Sequence, residues 1–286
     1  MVSLGNWRER MSEDMRLCDF RPRTQEGYLL AVRLFLERLG REPESLTDED
    51  VRAYFLYLRE DRKLAPSSIN IAVCALRFFF MRTMQRDWQV FDLLRVHKPR
   101  RLPIVLSTGE VRAVLQAVRH PVRRMALTSI YALGLRLNEA LPLASEDIDS
   151  QRLMVWLRGA KGAKDRGVPL PRPLLARLRR YWKLDRPPSD SKYLFVPANG
   201  LAPMHATTLQ KTFTAACRDI ALQKHATIHT LRHSYGTHLL EHGVSLRTIQ
   251  QLLGHQSLRT TEIYMHVTQP GIERLQETLD RLMSDL

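Results

Sequence analysis

Two prolines fall inside one strongly basic stretch, VHKPRRLPIVL (residues 96–106), and that stretch decides how the chain can be divided. A proline ring has no amide hydrogen to donate and clashes with the turn before it, so no helix runs through Pro99 or Pro103. The sequence on both sides is patterned for helices. The segment therefore reads as an interdomain linker between a domain over 1–95 and a second over 107–286. A length of 286 residues suits two domains of ordinary size.

Before the linker, short helices follow one another through tight turns. In TQEGYLLAVRLFLERLG, Tyr28, Val32, Phe35, Leu36 and Leu39 recur at helical spacing and share one face. Thr47 with Asp50 has the form of a capping box opening DEDVRAYFLYLRE. Pro66 and Ser67 introduce INIAVCALRFFFMRTM, apolar nearly all round and so suited to the centre of a small bundle. Nothing in this half resembles a catalytic constellation.

After the linker, Ser107 with Glu110 forms a second capping box, and two helices are expected to fill 107–142. LMVWLRG and RGVPLP then read as short strands of a hairpin around a turn rich in glycine and lysine. Helices resume from Pro171, with a loop at PPSDSKYLFVPANG, and the apolar stripe Ile272, Leu275, Leu279 and Leu282 marks a terminal helix over about 271–284. The expected fold is mainly α: a helical bundle, then a mixed α+β domain with a small antiparallel sheet.

Composition narrows the function. The chain has 44 basic and 30 acidic residues, a balance of +14, divided as 19 and 15 through residue 106 and 25 and 15 beyond it. Such an excess attracts polyanions, of which nucleic acid is the commonest in a cytosol; a merely basic soluble enzyme is the plainer reading. His97, Lys98, Arg100 and Arg101 in the linker, with Lys164 and Arg166 in the hairpin, are the candidate DNA contacts. No apolar run reaches 18 residues and no secretory leader pattern opens the chain, so a cytoplasmic protein without a membrane partner is expected. Cys18, Cys74 and Cys217 are scattered and have no zinc spacing.

The stretch HTLRHSYGTHLLEHG (229–243) holds four histidines on a helical pattern. His229 and His233 share a face as two metal ligands would, but Thr230 stands where a helical zinc protease carries glutamate, and no further ligands complete a set. No metal and no cofactor are expected. Arg232 lies one helical turn from His229. Elsewhere the chain offers Arg136 after a glycine, Lys161 and Lys164 on the hairpin turn, His255 in a Gly-His pair, and Tyr264. These residues suit attack of a phenol on a phosphodiester. A tyrosine of pKa about 10 needs a base or a positive field. Two guanidinium forks can hold the non-bridging oxygens without metal, and a lysine can protonate the leaving 5′-oxygen.

The run GLRLNEAL, AKGAKDRGVPL, HTLRHSYGTHLLEHG and LLGHQSLRTTEIYMHV resembles, in order and spacing over 107–268, the tyrosine recombinases of the phage-integrase and Xer type. The N-terminal bundle is similar to that family's SAM-like core-DNA-binding domain, on a less specific match. The resemblance implies a nucleophile at Tyr264, activated by Arg136, Lys161, His229, Arg232 and His255, with Glu139 and His233 in support. It implies His229 as general base and His255 as a donor to a non-bridging oxygen. Ala160 departs from the family's Gly-Lys-Gly turn and leaves Lys161 or Lys164 as the acid; KGAKDRGVPL aligns without a gap when Lys161 is taken.

The reaction that the resemblance implies is cleavage and rejoining of duplex DNA at a specific site, through a 3′-phosphotyrosyl link and a Holliday junction, without ATP or metal. Four protomers would meet at the synapse, the terminal helix docking on a neighbour or on its own domain. A second recombinase or an accessory DNA-bending protein could join them, in a bacterial cytoplasm at the nucleoid. An integron-type integrase, a type IB topoisomerase and a non-catalytic DNA-binding regulator are the competing readings.

Overall fold

A computed structural model describes residues 7–94, 102–158, 165–197 and 200–254. The chain forms two compact units, 1–100 and 101–286. The linker residues His97, Lys98, Arg100 and Arg101 lie outside the described residues, as do Lys161 and Lys164, His255, Tyr264 and the terminal stripe over 271–284.

The first unit is helical: α1 (Trp7–Leu17), α2 (Pro22–Leu39), α3 (Asp48–Glu60), α4 (Pro66–Phe78) and a short α5 (Val90–Leu93). Of the face expected on α2, Val32 and Phe35 are buried and Tyr28, Leu36 and Leu39 pack against the core as half-buried neighbours. Thr47 caps α3 as its spacing foretold: its amide donates to Asp50 Oδ2 at 2.9 Å and its hydroxyl accepts from the Asp50 amide at 3.4 Å. α4 widens into a five-residue turn, Phe79–Thr83, closed by the Met84 amide on the Phe79 carbonyl at 2.9 Å. Phe79 and Phe80 are both fully buried there, with Phe80 against Trp88 at 4.2 Å between ring centres. These rings pack into the unit's core beside aliphatic side chains such as Val51, Leu58, Ile69 and Leu76.

The second unit opens with α6 (Thr108–Ala117), α7 (Pro121–Ala132) and the single turn α8 (Leu137–Ala140). The Ser107–Glu110 capping box starts α6, with bonds of 2.7 and 3.2 Å. Strands β1 (Ile148–Asp149), β2 (Met154–Leu157) and β3 (Arg166–Pro169) form one antiparallel sheet in that order, Val155 facing Ile148 on one side and Val168 on the other. The hairpin matches expectation; β1, two residues long, has too little pattern to be read from sequence. Then come α9 (Arg172–Leu184), α10 (Ala206–Asp219), α11 (Ile228–Glu241) and α12 (Leu246–Leu253).

Two segments expected as connectors belong to the core of this unit. Leu106 is fully buried, and its amide donates to the Ser234 hydroxyl on α11 at 2.9 Å. In the loop after α9, Leu194, Phe195 and Val196 are buried, and the Leu194 amide donates to the Leu143 carbonyl at 2.8 Å. The first of these ties the chain to α11, which buries Leu231, Arg232, Ser234, Gly236 and Thr237 on several faces. That all-round burial is why the histidine stretch lacks a clean apolar stripe.

Candidate active site

α11 runs through the interior with one cation on it. Arg232 is 1% exposed, and a buried charge survives only when paired and hydrogen-bonded. Its guanidinium donates to the Gly134 carbonyl at 2.7 Å and to the Leu253 carbonyl, and lies 3.5 Å from Glu139 Oε2. The fork expected to open toward a phosphate is thus closed on backbone oxygens.

Glu139 sits at the foot of α8, three residues after Arg136. Arg136 reaches it twice, through its amide to Oε2 at 2.8 Å and its guanidinium to Oε1 at 2.7 Å. A third arginine completes the cluster. Arg166, at the start of β3, lays both terminal nitrogens on the same carboxylate, at 2.8 and 2.9 Å. This fork-to-fork contact is the strong geometry for a guanidinium–carboxylate pair. Burial alone would raise the Glu139 pKa, but Arg166 and then Arg136 outweigh it and hold the carboxyl near 2. Glu139 is 8% exposed and Arg136 27%, so Arg136 is the most open of the three guanidinium groups.

The other wall of the site is a helix end. The last carbonyls of a helix lack partners within it and carry its negative pole. Here three successive carbonyls at the close of α12 take one arginine each: Leu252 accepts from Arg166 at 3.2 Å, Leu253 from Arg232, and Gly254 from Arg136 at 3.2 Å. α12 is held in place by Ile249 and Leu253, which are fully buried among Tyr235, Leu239, Leu240 and Val244. Two glycines permit this closeness. Gly134 has φ +60, and a Cβ there would collide with the Tyr235 ring; Gly254 has φ +59, and a Cβ there would lie 2.9 Å from an Arg166 nitrogen.

His229 and His233 meet edge to face, 4.5 Å between ring centres. His229 opens to solvent beside the cluster. Crowding by its surroundings, then Arg232 and Arg136, lower its pKa, so it stays neutral at pH 7 and able to accept a proton. Burial, His229 and Arg232 push His233 down to about 4. His238 and His242 are committed to other bonds, His238 with the Tyr131 hydroxyl on α7 at 2.9 Å and His242 with the His238 carbonyl at 2.7 Å.

Arg136, Glu139, His229, Arg232 and His233 are therefore brought together, while Lys161, Lys164, His255 and Tyr264 lie outside the described residues. Arg166, expected as a DNA contact, is 11% exposed and stands inside the cluster. A signal for this was present: strands alternate faces, so Arg166 shares its side of β3 with the fully buried Val168. The carbonyl partners carry no side-chain signature and were not legible.

Comparison with known proteins places the chain by family and fold. Residues 105–270 match the phage integrase family model, and residues 7–90 match the N-terminal SAM-like domain of phage integrases. "Putative integrase/recombinase y4qK" of Sinorhizobium fredii is 44% identical, covering 91% of this chain and 84% of its own. Tyrosine recombinase XerA of Thermococcus kodakarensis is 34% identical, covering 92% and 93%. In fold, the chain is similar to a lambda integrase fragment, solved as a dimer bound to a COC′ core site, with a TM-score of 0.73 at 17% identity over 90% and 93% of the two chains.

Proposed function

The chain belongs to the phage integrase family, and from that premise we propose that it is a site-specific recombinase that breaks and rejoins duplex DNA through a 3′-phosphotyrosyl link. The observation that carries this reading is the convergence of Arg136, Arg166 and Arg232 on the single carboxylate of Glu139. Three guanidinium charges against one carboxylate leave two in surplus. A phosphodiester carries one negative charge, and the pentacoordinate species formed on attack gathers a second. A fixed field of that size favours the transition state over the bound substrate, which is what accelerates a reaction.

In this reading Tyr264 attacks phosphorus. The bond from its phenolic oxygen forms, the bond to the 5′-oxygen breaks, the phenol proton passes to neutral His229, and Lys161 protonates the departing oxygen. Arg136, the more open guanidinium, meets a non-bridging oxygen directly. Arg232 holds charge beneath it and trades a backbone carbonyl for a phosphate oxygen as substrate seats; His255 donates to a non-bridging oxygen. A free 5′-hydroxyl then reverses the step. The ester preserves the bond energy, so the exchange calls for no ATP, and the arginines supply the positive charge an ion would otherwise bring. Exchange between two duplexes proceeds through a Holliday junction held by four protomers on cytoplasmic DNA, the segment 271–284 docking on a neighbour.

Nicked suicide duplexes tiled across the DNA flanking the gene test this directly. Wild-type protein should become covalently attached to one or more tiles, with or without chelator, and Tyr264→Phe should not. No adduct with any tile, or an adduct that survives Tyr264→Phe, would overturn the reading.

A further inference from the structure

Arg166 does two things at once. Its fork closes on both oxygens of Glu139, at 2.8 and 2.9 Å, and its Nε donates to the Leu252 carbonyl at 3.2 Å. It is thereby the direct link between β3, the α8 turn and the carboxyl end of α12. We propose that Arg166 is a positioning residue for the recombination chemistry, fixing Glu139 against the end of α12 so that Arg136 and Arg232 are aimed at one phosphate. This rests on the recombinase reading above.

Three observations separate this role from that of a DNA contact. First, the side chain is 11% exposed, and all three guanidinium nitrogens are already donating within the protein. Second, Arg136 and Arg232 each touch the same two anchors, Glu139 and the α12 end, so any shift between those anchors moves both. Third, Gly254 lies against the Arg166 side chain: a Cβ there would fall 2.9 Å from Nη1, so the missing side chain lets the end of α12 come close over the guanidinium.

A lysine at 166 keeps the positive charge but is a point donor that cannot span two carboxylate oxygens and a carbonyl. The placement of reacting groups tolerates little: a displacement near 1 Å can cost about 100-fold in rate. Arg166→Lys should therefore fold and bind DNA with unchanged affinity and unchanged salt dependence. At saturating protein it should form the Tyr264 adduct about 100-fold more slowly. A phosphate contact would give the opposite split, with weaker binding, a salt slope reduced by about one, and an unchanged saturated rate.

The experiment measures three quantities on full-length protein. They are affinity against salt and saturated adduct rate, both on the nicked tile that the wild type attacks best, and urea-unfolding stability in a cycle of Arg166→Lys, Glu139→Gln and the double variant. The expected outcome is a rate loss at constant affinity, with the two substitutions strongly non-additive in both rate and stability. Additive stability effects, or a saturated rate within threefold of wild type, overturn the positioning role while leaving the recombinase reading intact. A wild type that attacks no tile overturns the recombinase reading and this role with it.

Discussion

Replacing Glu139 by glutamine keeps the shape of the side chain and removes its charge, which would leave three guanidinium groups facing one another around a buried amide. Breaking a buried ion pair from one side costs about 3–5 kcal/mol, because the remaining charge loses its compensation. Glu139→Gln should lower unfolding stability by about 3 kcal/mol in urea titrations near pH 7 and slow adduct formation. The sign with pH is set by the carboxyl held near 2. Its contribution is fully present above the ordinary carboxylate range and is lost as pH falls toward 2, so the gap between wild type and variant should narrow on that descent. His229 gives a different signature. Its pKa is lowered, so the neutral form persists below the ordinary value of about 6.5, and the single-turnover rate should hold at pH 7 and fall only at lower pH. A rate that instead falls on the alkaline side of 6.5 would remove His229 from the role of base.

At the scale of elements, the carboxyl end of α12 is the part of the site most open to test. Gly40 closes α2 and Gly254 closes α12, at φ +63 and +59. An alanine in the left-handed region costs about 1 kcal/mol at either place. Around Gly40 a Cβ would meet nothing within 4 Å, whereas at Gly254 it would press on Arg166. Gly40→Ala should therefore lose about 1 kcal/mol and keep the wild-type rate of adduct formation, while Gly254→Ala should lose more stability and much of the rate. Equal rates in the two variants would show that the helix end does not position the arginines.

The same elements show what could be read in advance. Capping boxes at Thr47 and Ser107, the face of α2 and the hairpin of β2 and β3 all arise from local spacing, and local spacing is written in the sequence. Arg136, Glu139, His229 and Arg232 were legible through motif order. What was not legible is what depends on tertiary approach. The carbonyls of Gly134 and Leu253 that hold Arg232 belong to the backbone, and the buried stretch Leu194–Val196 gains its place from pairing with Leu143. Arg166 lies between these cases: strand alternation turns it inward, but its charge argues for the surface until Glu139 is seen beneath it.

For the molecule as a whole, the charge balance sets the expectation. The surplus of +14 is carried more by residues 107–286 than by those before. Binding dominated by phosphate contacts loses affinity linearly on a log–log salt plot, and six to ten contacts correspond to a fall of about 10³–10⁵ between 50 and 200 mM. Fluorescence anisotropy on the preferred tile should show a slope in that range, for Tyr264→Phe as for wild type. A shallow slope would mean that base edges, not phosphates, carry the affinity.

The central claim is a specific bond: Tyr264 joined to a 3′-phosphate. Trapping the adduct on a nicked duplex, digesting protein and DNA, and sequencing the cross-linked peptide by tandem mass spectrometry tests it most directly. The expected product is a peptide containing EIYMHV with the nucleotide on Tyr264, and a free 5′-hydroxyl on the partner fragment. A link to any other residue, or a 5′-phosphotyrosyl bond, would contradict it.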